Sequence, residues 1–232
     1  MIAVLTYNNP HRKTQDVLFQ LVAKGHTDIK VFASPWKARK NFLPIFKHRP
    51  GEAVDVMPET LCKRLNIEFQ EIETEALEQE FQKGQFQHHI IAGAGILPEG
   101  IVNNYKLINS HPAYLPYVKG LDALKWAIYQ GHPVGVTLHY VSAETDQGDL
   151  IHQVEVPLYY EDTFHAFAYR QYEIEIDLLT SAPELIAAAE AFPSLADEVY
   201  PANRRMPHHV EMKMMDAFDR LREKAPSIKE LD

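Results

Sequence analysis

The chain has 232 residues, 46 % hydrophobic and 24 % charged, with a formal net charge of −9. That balance suits a globular protein with a sizeable core and lacks the basic face of a nucleic-acid binder; the densest cationic stretch, 37–50, breaks up its Lys, Arg and His with Phe, Leu and Ile and reads as a loop with a few anion contacts. One cysteine, Cys62, excludes a disulfide framework and a cysteine zinc site, and with no signal-peptide pattern after Met1 and no run of about 18 apolar residues, a cytoplasmic protein with no membrane partner is expected.

Apolar runs alternate with helical patterns through the first half. IAVLTY (2–7) suits a buried parallel strand. After NNPHRKT, residues 14–24 put Val17, Leu18, Leu21 and Val22 on one helical face, and Gly25 stops the helix. A strand is predicted at 29–34, then a Pro-containing loop, helices at 58–65 and 75–83, and strands at 88–93 (HHIIAG) and 106–111 (KLINSH). This rhythm predicts an α/β fold, a Rossmann-like and mainly parallel sheet flanked by helices. Beyond a helix at 121–130 the pattern changes. Residues 133–143 and 149–158 alternate in polarity and predict antiparallel strands joined by ETDQG. A long helix starts near Asp162 or Thr163, a suitable N-cap, and runs to Leu179 or beyond, with Pro183 breaking or kinking it. The stretch 192–207 reads as loop and 207–224 as a last amphipathic helix. The expected organisation is a main domain over 1–180 and a small helical extension over 181–232.

Ligands of open parallel sheets bind beyond the carboxyl ends of the strands. Asn109 and His111 close the strand 106–111, and positions two apart on a strand share one side. Asp146 lies in the loop ETDQG, from which a carboxylate can approach an imidazole. An Asn amide donates to an oxygen that is becoming negative. A His moves a proton or, when charged, stabilises the same oxygen, and an Asp beside it orients the ring. No Ser or Cys is read as a nucleophile here, so direct attack by an amine on an acyl carbon is favoured. For these residues alone, a capped strand end plus a surface carboxylate is the plain alternative. The twelve histidines include the pairs His88–His89 and His208–His209. Neighbours on a strand point to opposite faces, so no metal site is expected.

Three motifs in this order and spacing, NSHPAYLP, GVTLHYV and DQGDLI, resemble the formyltransferase superfamily that uses N10-formyltetrahydrofolate. They supply Asn109, His111, Pro112, Leu115 and Pro116; Gly135, Val136, Thr137, His139 and Val141; and Asp146 and Gly148. IIAGAGILPEGIV (90–102) is similar to the strand and loop that precede the family's catalytic strand, and the resemblance covers roughly residues 1–180. It implies that Asn109, His111 and Asp146 form the catalytic triplet, with His139 in support. It also implies a pterin ring between the loop of Gly95, Ile96 and Leu97 and the loop of Val141, Ala143, Glu144 and Thr145, with N10-formyltetrahydrofolate as co-substrate and no metal.

The family's acceptors are amines. A tRNA-directed member would carry a further barrel and a basic surface, and a purine-pathway member a Gly-rich first turn; the first turn here is YNNPHRKT. LPYVKGLDALKW resembles the sugar N-formyltransferases of surface-glycan and pseudaminic-acid pathways. The expected acceptor is therefore a small-molecule amino sugar, free or nucleotide-linked. Asn8, Asn9, Arg12, Lys13, Tyr114, Tyr117 and Lys119 are the candidates to bind it. A formyltetrahydrofolate hydrolase, a tailoring domain for another amine and a binding module without turnover are the alternatives. The methionines Met212, Met214 and Met215 spread apolar groups round the last helix, and a homodimer is expected.

Overall fold

The structure is a computed structural model describing residues 1–37, 42–51, 54–142, 148–195 and 200–230. The opening apolar run forms β1 (Ile2–Asn8), followed by α1 (Arg12–Ala23) and β2 (Ile29–Pro35). Thr14, Val17, Leu18 and Leu21 of α1 are buried, as their helical spacing requires. Next come α2 (Pro58–Leu65), β3 (Glu68–Glu71), a short 3₁₀ turn at Thr74–Ala76, α3 (Leu77–Lys83), β4 (His88–Ile91), α4 (Glu99–Asn104) and β5 (Leu107–His111). The chain continues through β6 (Lys119–Gly120), α5 (Ala123–Gln130), β7 (Gly135–Tyr140), β8 (Leu150–Glu155), α6 (Phe164–Thr180), α7 (Ala182–Ala188), β9 (Ala202–Asn203) and α8 (His208–Arg222).

Seven strands make one sheet in the order β3-β2-β1-β4-β5-β7-β8. The first five run parallel, and β7 and β8 are antiparallel to their neighbours. The predicted α/β architecture is therefore present. Four short elements, β3, α4, β6 and β9, escaped the sequence reading for physical reasons. β3 (EFQE) is a short polar edge strand, and α4 buries only Ile101. Thr163 caps α6 as expected, its hydroxyl accepting from the Ala166 N–H at 3.1 Å. Pro183 lies in the first turn of α7, where its missing N–H costs nothing, so it starts a helix after the break at Ser181. Gly148 has φ +118°, and a Cβ there would collide with the Tyr140 carbonyl. That is why the β7–β8 connection ends in glycine.

The residues after 180 share the main core. Met206, Met214 and Phe218 are fully buried in the cluster that contains Val4, Leu18, Ile108 and Phe167. Met215 packs against the same cluster, and Met212 alone of the three is exposed, at 54 %. Most of the apolar surface that suggested a homodimer is thus used inside the chain. Glu211 on α8 takes the buried Lys125 ammonium from α5 and accepts from the Ile45 N–H at 2.8 Å. The His208 Nε2–H donates to the Leu43 carbonyl at 2.9 Å. These bonds strap the segment 43–51 to the C-terminal helix. No helix among the described residues is long and apolar enough to cross a membrane.

A second ion cluster ties α1 to α6. Glu175, 1 % exposed, pairs with Lys13 at 2.8 Å and with Arg49. Asp16 accepts from Arg12 at 2.6 Å and from the Tyr172 hydroxyl at 2.7 Å. Burial pushes the Glu175 carboxyl up, but the charges and hydrogen bonds of Arg49 and Lys13 outweigh it and hold it at about 2.

Two outcomes follow from this packing. Phe218→Ala should lower unfolding free energy by about 3–5 kcal/mol in a denaturant titration, because the ring leaves a cavity in the shared core; a change below about 0.5 kcal/mol would show that α8 is peripheral. Glu175 has a folded pKa below its ordinary value, so its contribution is complete above about 4.5 and is lost as pH falls towards about 2. Glu175→Gln should be less stable than the parent at neutral pH by about 3–5 kcal/mol, with a gap that closes across that acid window. A gap independent of pH would contradict the ion-pair assignment.

Candidate active site

The site forms where the carboxyl ends of β1, β4 and β5 open into a cleft of about 1060 Å³. Asn109 and His111 both line it, as their spacing on one strand predicts. Each faces a fixed partner on β7, since Asn109 is opposite His139 and His111 opposite Thr137. Asn109 is half-buried and His111 buried.

Hydrogen bonds fix how these groups are presented. His139 Nδ1 faces the Tyr140 carbonyl at 3.1 Å and must donate to it. In the neutral ring, Nε2 is then an acceptor and takes one N–H of the Asn109 amide at 3.4 Å. The second N–H of that amide has no protein acceptor among the described residues, so it is available to the cleft. The His111 Nε2–H donates to the Val118 carbonyl at 3.2 Å. The turn behind His111 contains a cis Leu115–Pro116 bond and is locked from three sides. Thr137 Oγ1 donates to the Ala113 carbonyl at 2.7 Å and accepts from Leu115 N–H at 3.0 Å. Gln153 donates to the Leu115 carbonyl, and Gln171 donates to the Pro112 carbonyl and the Gly135 carbonyl. The reactive pair therefore sits on a rigid frame.

The remaining predicted residues divide. Asn9, Arg12 and Lys13 line the cleft, while Asn8 ends β1 beside Pro35 and is not among the lining residues. Tyr114 and Tyr117 lie outside the lining; they stack on each other at 6.3 Å, and Tyr117 stacks on His132 at 5.4 Å. Lys119 is 1 % exposed in β6 and also lies outside the lining. None of these three residues, expected to reach the acceptor, is among those that line the cleft. After Pro112 the chain brings Tyr114 against Gly135 of β7 and Tyr117 against His132 and Tyr200, with Lys119 and Gly120 paired to β9. Asp146, Ala143, Glu144 and Thr145 lie outside the described residues.

The cleft also uses groups that the sequence reading did not single out. Trp36 packs edge-on against Tyr7 at 5.0 Å, and both line the cleft with Arg49, Tyr172 and Glu175. Tyr7 carries its hydroxyl to the Ala94 carbonyl. Arg49 was visible only as part of a broken cationic stretch, and Glu175 sits in a helical pattern that gives no hint of its partners.

The residues predicted to hold the cofactor ring are described in part. Leu97 and Val141 pack on the same apolar cluster beneath the strand ends, and Ile96 stands 99 % exposed beside them. Gly95 leaves open space, with nothing within 4 Å of where a side chain would start. None of these four residues is among those that line the cleft. Among the described residues no three His, Cys, Asp or Glu side chains converge as a metal site. His89 is buried among Phe81, Phe86 and Tyr105, where burial pulls its pKa down to about 4.

Comparison with known proteins bears on this arrangement. Residues 44–182 match the family described as Formyl transferase. A methionyl-tRNA formyltransferase of Fusobacterium nucleatum is 36 % identical over 104 residues, covering 44 % of this chain and 34 % of its own length. The trifunctional purine biosynthetic protein adenosine-3 of Chironomus tentans is 32 % identical over 136 residues, covering 57 % of this chain and 10 % of its own. The chain thus spans about a third or less of the length of these relatives. In fold it is similar to a sugar N-formyltransferase from Shewanella sp FDAARGOS_354, with a TM-score of 0.61 and 22 % identity, covering 88 % of this chain and 76 % of that one. It is also similar to the formyltransferase PseJ from Anoxybacillus kamchatkensis, solved with UDP-4,6-dideoxy-4-formamido-L-AltNAc and tetrahydrofolate. There the TM-score is 0.52 and the identity 19 %, covering 87 % of this chain and 86 % of that one. The matched span holds Asn109, His111 and His139 together with the two strands that position them, and more than half of the sequence: the chain belongs to the formyl transferase family.

Proposed function

We propose that the protein transfers a formyl group from N10-formyltetrahydrofolate to the amine of an amino sugar used in surface-glycan synthesis. The observation that carries the reading is the pairing of Asn109 and His111 on one side of β5, both lining the cleft, with one Asn109 N–H held by His139. When bound, N10-formyltetrahydrofolate supplies the formyl carbon and its carbonyl oxygen. Leu97, Val141 and Ile96 would hold its ring.

Each residue has a physical task. Asn109 donates its second N–H to an oxygen that gains negative charge, and it does so without reorganising because His139 already holds the other N–H. His111 is held through Nε2 on the Val118 carbonyl beside Asn109, and it is proposed to move a proton or to stabilise the same oxygen. Asp146 is proposed to steer proton movement beside His111, as the family resemblance implies. The amino-sugar acceptor is supported by the sugar-modifying proteins among the fold neighbours and by a first turn, Asn8 to His11, that contains no glycine. An amine on another carrier is the alternative, which the segments shared with methionyl-tRNA and purine enzymes keep in play.

Mass analysis of the acceptor after incubation with N10-formyltetrahydrofolate tests the proposal: gain of one formyl group supports it. Release of formate at full rate without any amine would instead identify a hydrolase. Asn109→Ala should lower kcat by about 10²–10³ with the melting temperature unchanged. His139→Leu should lower kcat by less. The double variant should be no slower than Asn109→Ala alone, since His139 acts through Asn109; additive losses would show that His139 has a separate role.

A further inference from the structure

His111 closes β5, and the peptide carbonyls on either side of it are both held. Before it, the Ser110 carbonyl accepts from the Lys13 ammonium at 3.4 Å. After it, the Pro112 carbonyl accepts from the Gln171 amide at 2.9 Å. Both donors trace to one face of α6. Gln171 stands on that helix, and Glu175, four residues on, holds Lys13 at 2.8 Å. Four helical residues rise about 6 Å and two strand residues cover about 7 Å, so the spacing on the helix suits the two carbonyls that flank His111.

Gln171 also does what the strand ladder cannot. The pairing of β5 with β7 ends at His111 opposite Thr137, and the next residue on β5, Pro112, has no N–H to extend it. Gln171 bridges this end. One amide hydrogen goes to the Pro112 carbonyl and the other to the Gly135 carbonyl, at 3.0 Å, where β7 begins. A single side chain thus ties the ends of the two strands that carry Asn109, His111 and His139. The turn it holds leads back to His111, because the Val118 carbonyl that accepts the His111 Nε2–H lies on the stretch that Pro112 opens. Gln171 is 3 % exposed, and its neighbours Phe167, Ala168, Tyr172 and Ile176 on α6 are buried. An apolar residue there would fill the same core without the desolvation cost of an amide; a satisfied buried amide instead fixes one backbone geometry. Gln171 is not among the residues that line the cleft, so its effect on turnover passes through the strand end it holds.

We propose that Gln171 is a positioning residue for formyl transfer. Together with the Lys13–Glu175 pair it clamps the peptide on both sides of His111, so that the imidazole meets the reacting group without reordering. The inference rests on the formyl-transfer reading for the chemistry alone; the state of the His111 ring can be measured without turnover.

The test compares Gln171→Met, which keeps the length of the side chain and removes both donors, with Gln171→Glu, which takes up a proton in this buried position and keeps one donor. Turnover is measured with N10-formyltetrahydrofolate and a UDP-linked amino sugar. Gln171→Met should lower kcat by roughly ten- to a hundredfold, with KM for both substrates within about twofold of the parent. Gln171→Glu should fall between the two. Against the residual rate of His111→Gln, the same substitution should cost nothing further. Nitrogen-15 NMR of labelled histidine reads the ring itself. The His111 signal, assigned by its loss in His111→Gln, should report a proton on Nε2 in the parent and shift towards a tautomeric average in Gln171→Met. Gln171→Glu carries the same readouts where Gln171→Met does not fold. A purely structural role would lower the melting temperature and leave kcat and the His111 signal at parental values, which would overturn the inference, as would an equal further loss of kcat in the His111→Gln background. Parental turnover and an unchanged signal in Gln171→Met sink the clamp and leave the transfer reading intact. A shifted His111 signal in Gln171→Met, with no amine formylated by the parent, supports the clamp and sinks the transfer reading.

Discussion

β5 is bonded to parallel β4 along one edge and to antiparallel β7 along the other, and the site depends on the register of the second pairing. With Asn109 opposite His139 and His111 opposite Thr137, each residue of the reactive pair receives a partner from the next strand. A slip of one residue would turn Ser110 towards that volume and send both polar groups to the other face. Such a slip is opposed by the burial of Ile108, Val136 and Leu138, which all belong to one core cluster. It is opposed again by Thr137, whose hydroxyl closes the turn that follows His111. Core packing and site geometry are therefore set by the same hydrogen-bond ladder.

Buried charge sets the other wall. Glu175 and Glu211 are almost completely enclosed, and each is matched by a cation and a further donor. Such pairs add little net stability compared with apolar packing, because desolvation offsets most of the attraction. Their consequence here is positional. Glu211 on α8 anchors the Ile45 N–H, the strapped segment carries Arg49 to the cleft, and Glu175 on α6 holds Arg49 there. The C-terminal helix thus shapes the cleft from a distance.

Most of the sheet could be read from local pattern. β1, β2, β4, β5, β7 and β8 have apolar runs or alternation, and α2 has Pro at its start and Asn66 in the left-handed region at its end. β3 and β9 are short, polar and partly exposed, so periodicity carries no signal for them. Asn109 and His111 could be placed because strand spacing alone puts them on one side. Tyr114, Tyr117 and Lys119 could not, because their positions depend on how a proline-rich turn leaves the strand. Trp36, Arg49 and Glu175 reach the cleft from segments far apart in the chain, and only tertiary packing brings them together. Helical pattern likewise showed the apolar residues of α8 but not that the main core takes up Met214 and, in part, Met215.

A rigid donor of one hydrogen bond and a buried imidazole share a single cleft with the Lys13 and Arg49 cations. The central claim is that the amine of a sugar is formylated at Asn109 and His111. The most direct measurement is mass spectrometry of UDP-linked amino sugars incubated with the protein and N10-formyltetrahydrofolate. The account predicts a gain of one formyl group on the sugar amine, which disappears with Asn109→Ala. Unmodified sugars with the donor consumed, or formylation that persists in Asn109→Ala at the parent rate, would contradict it.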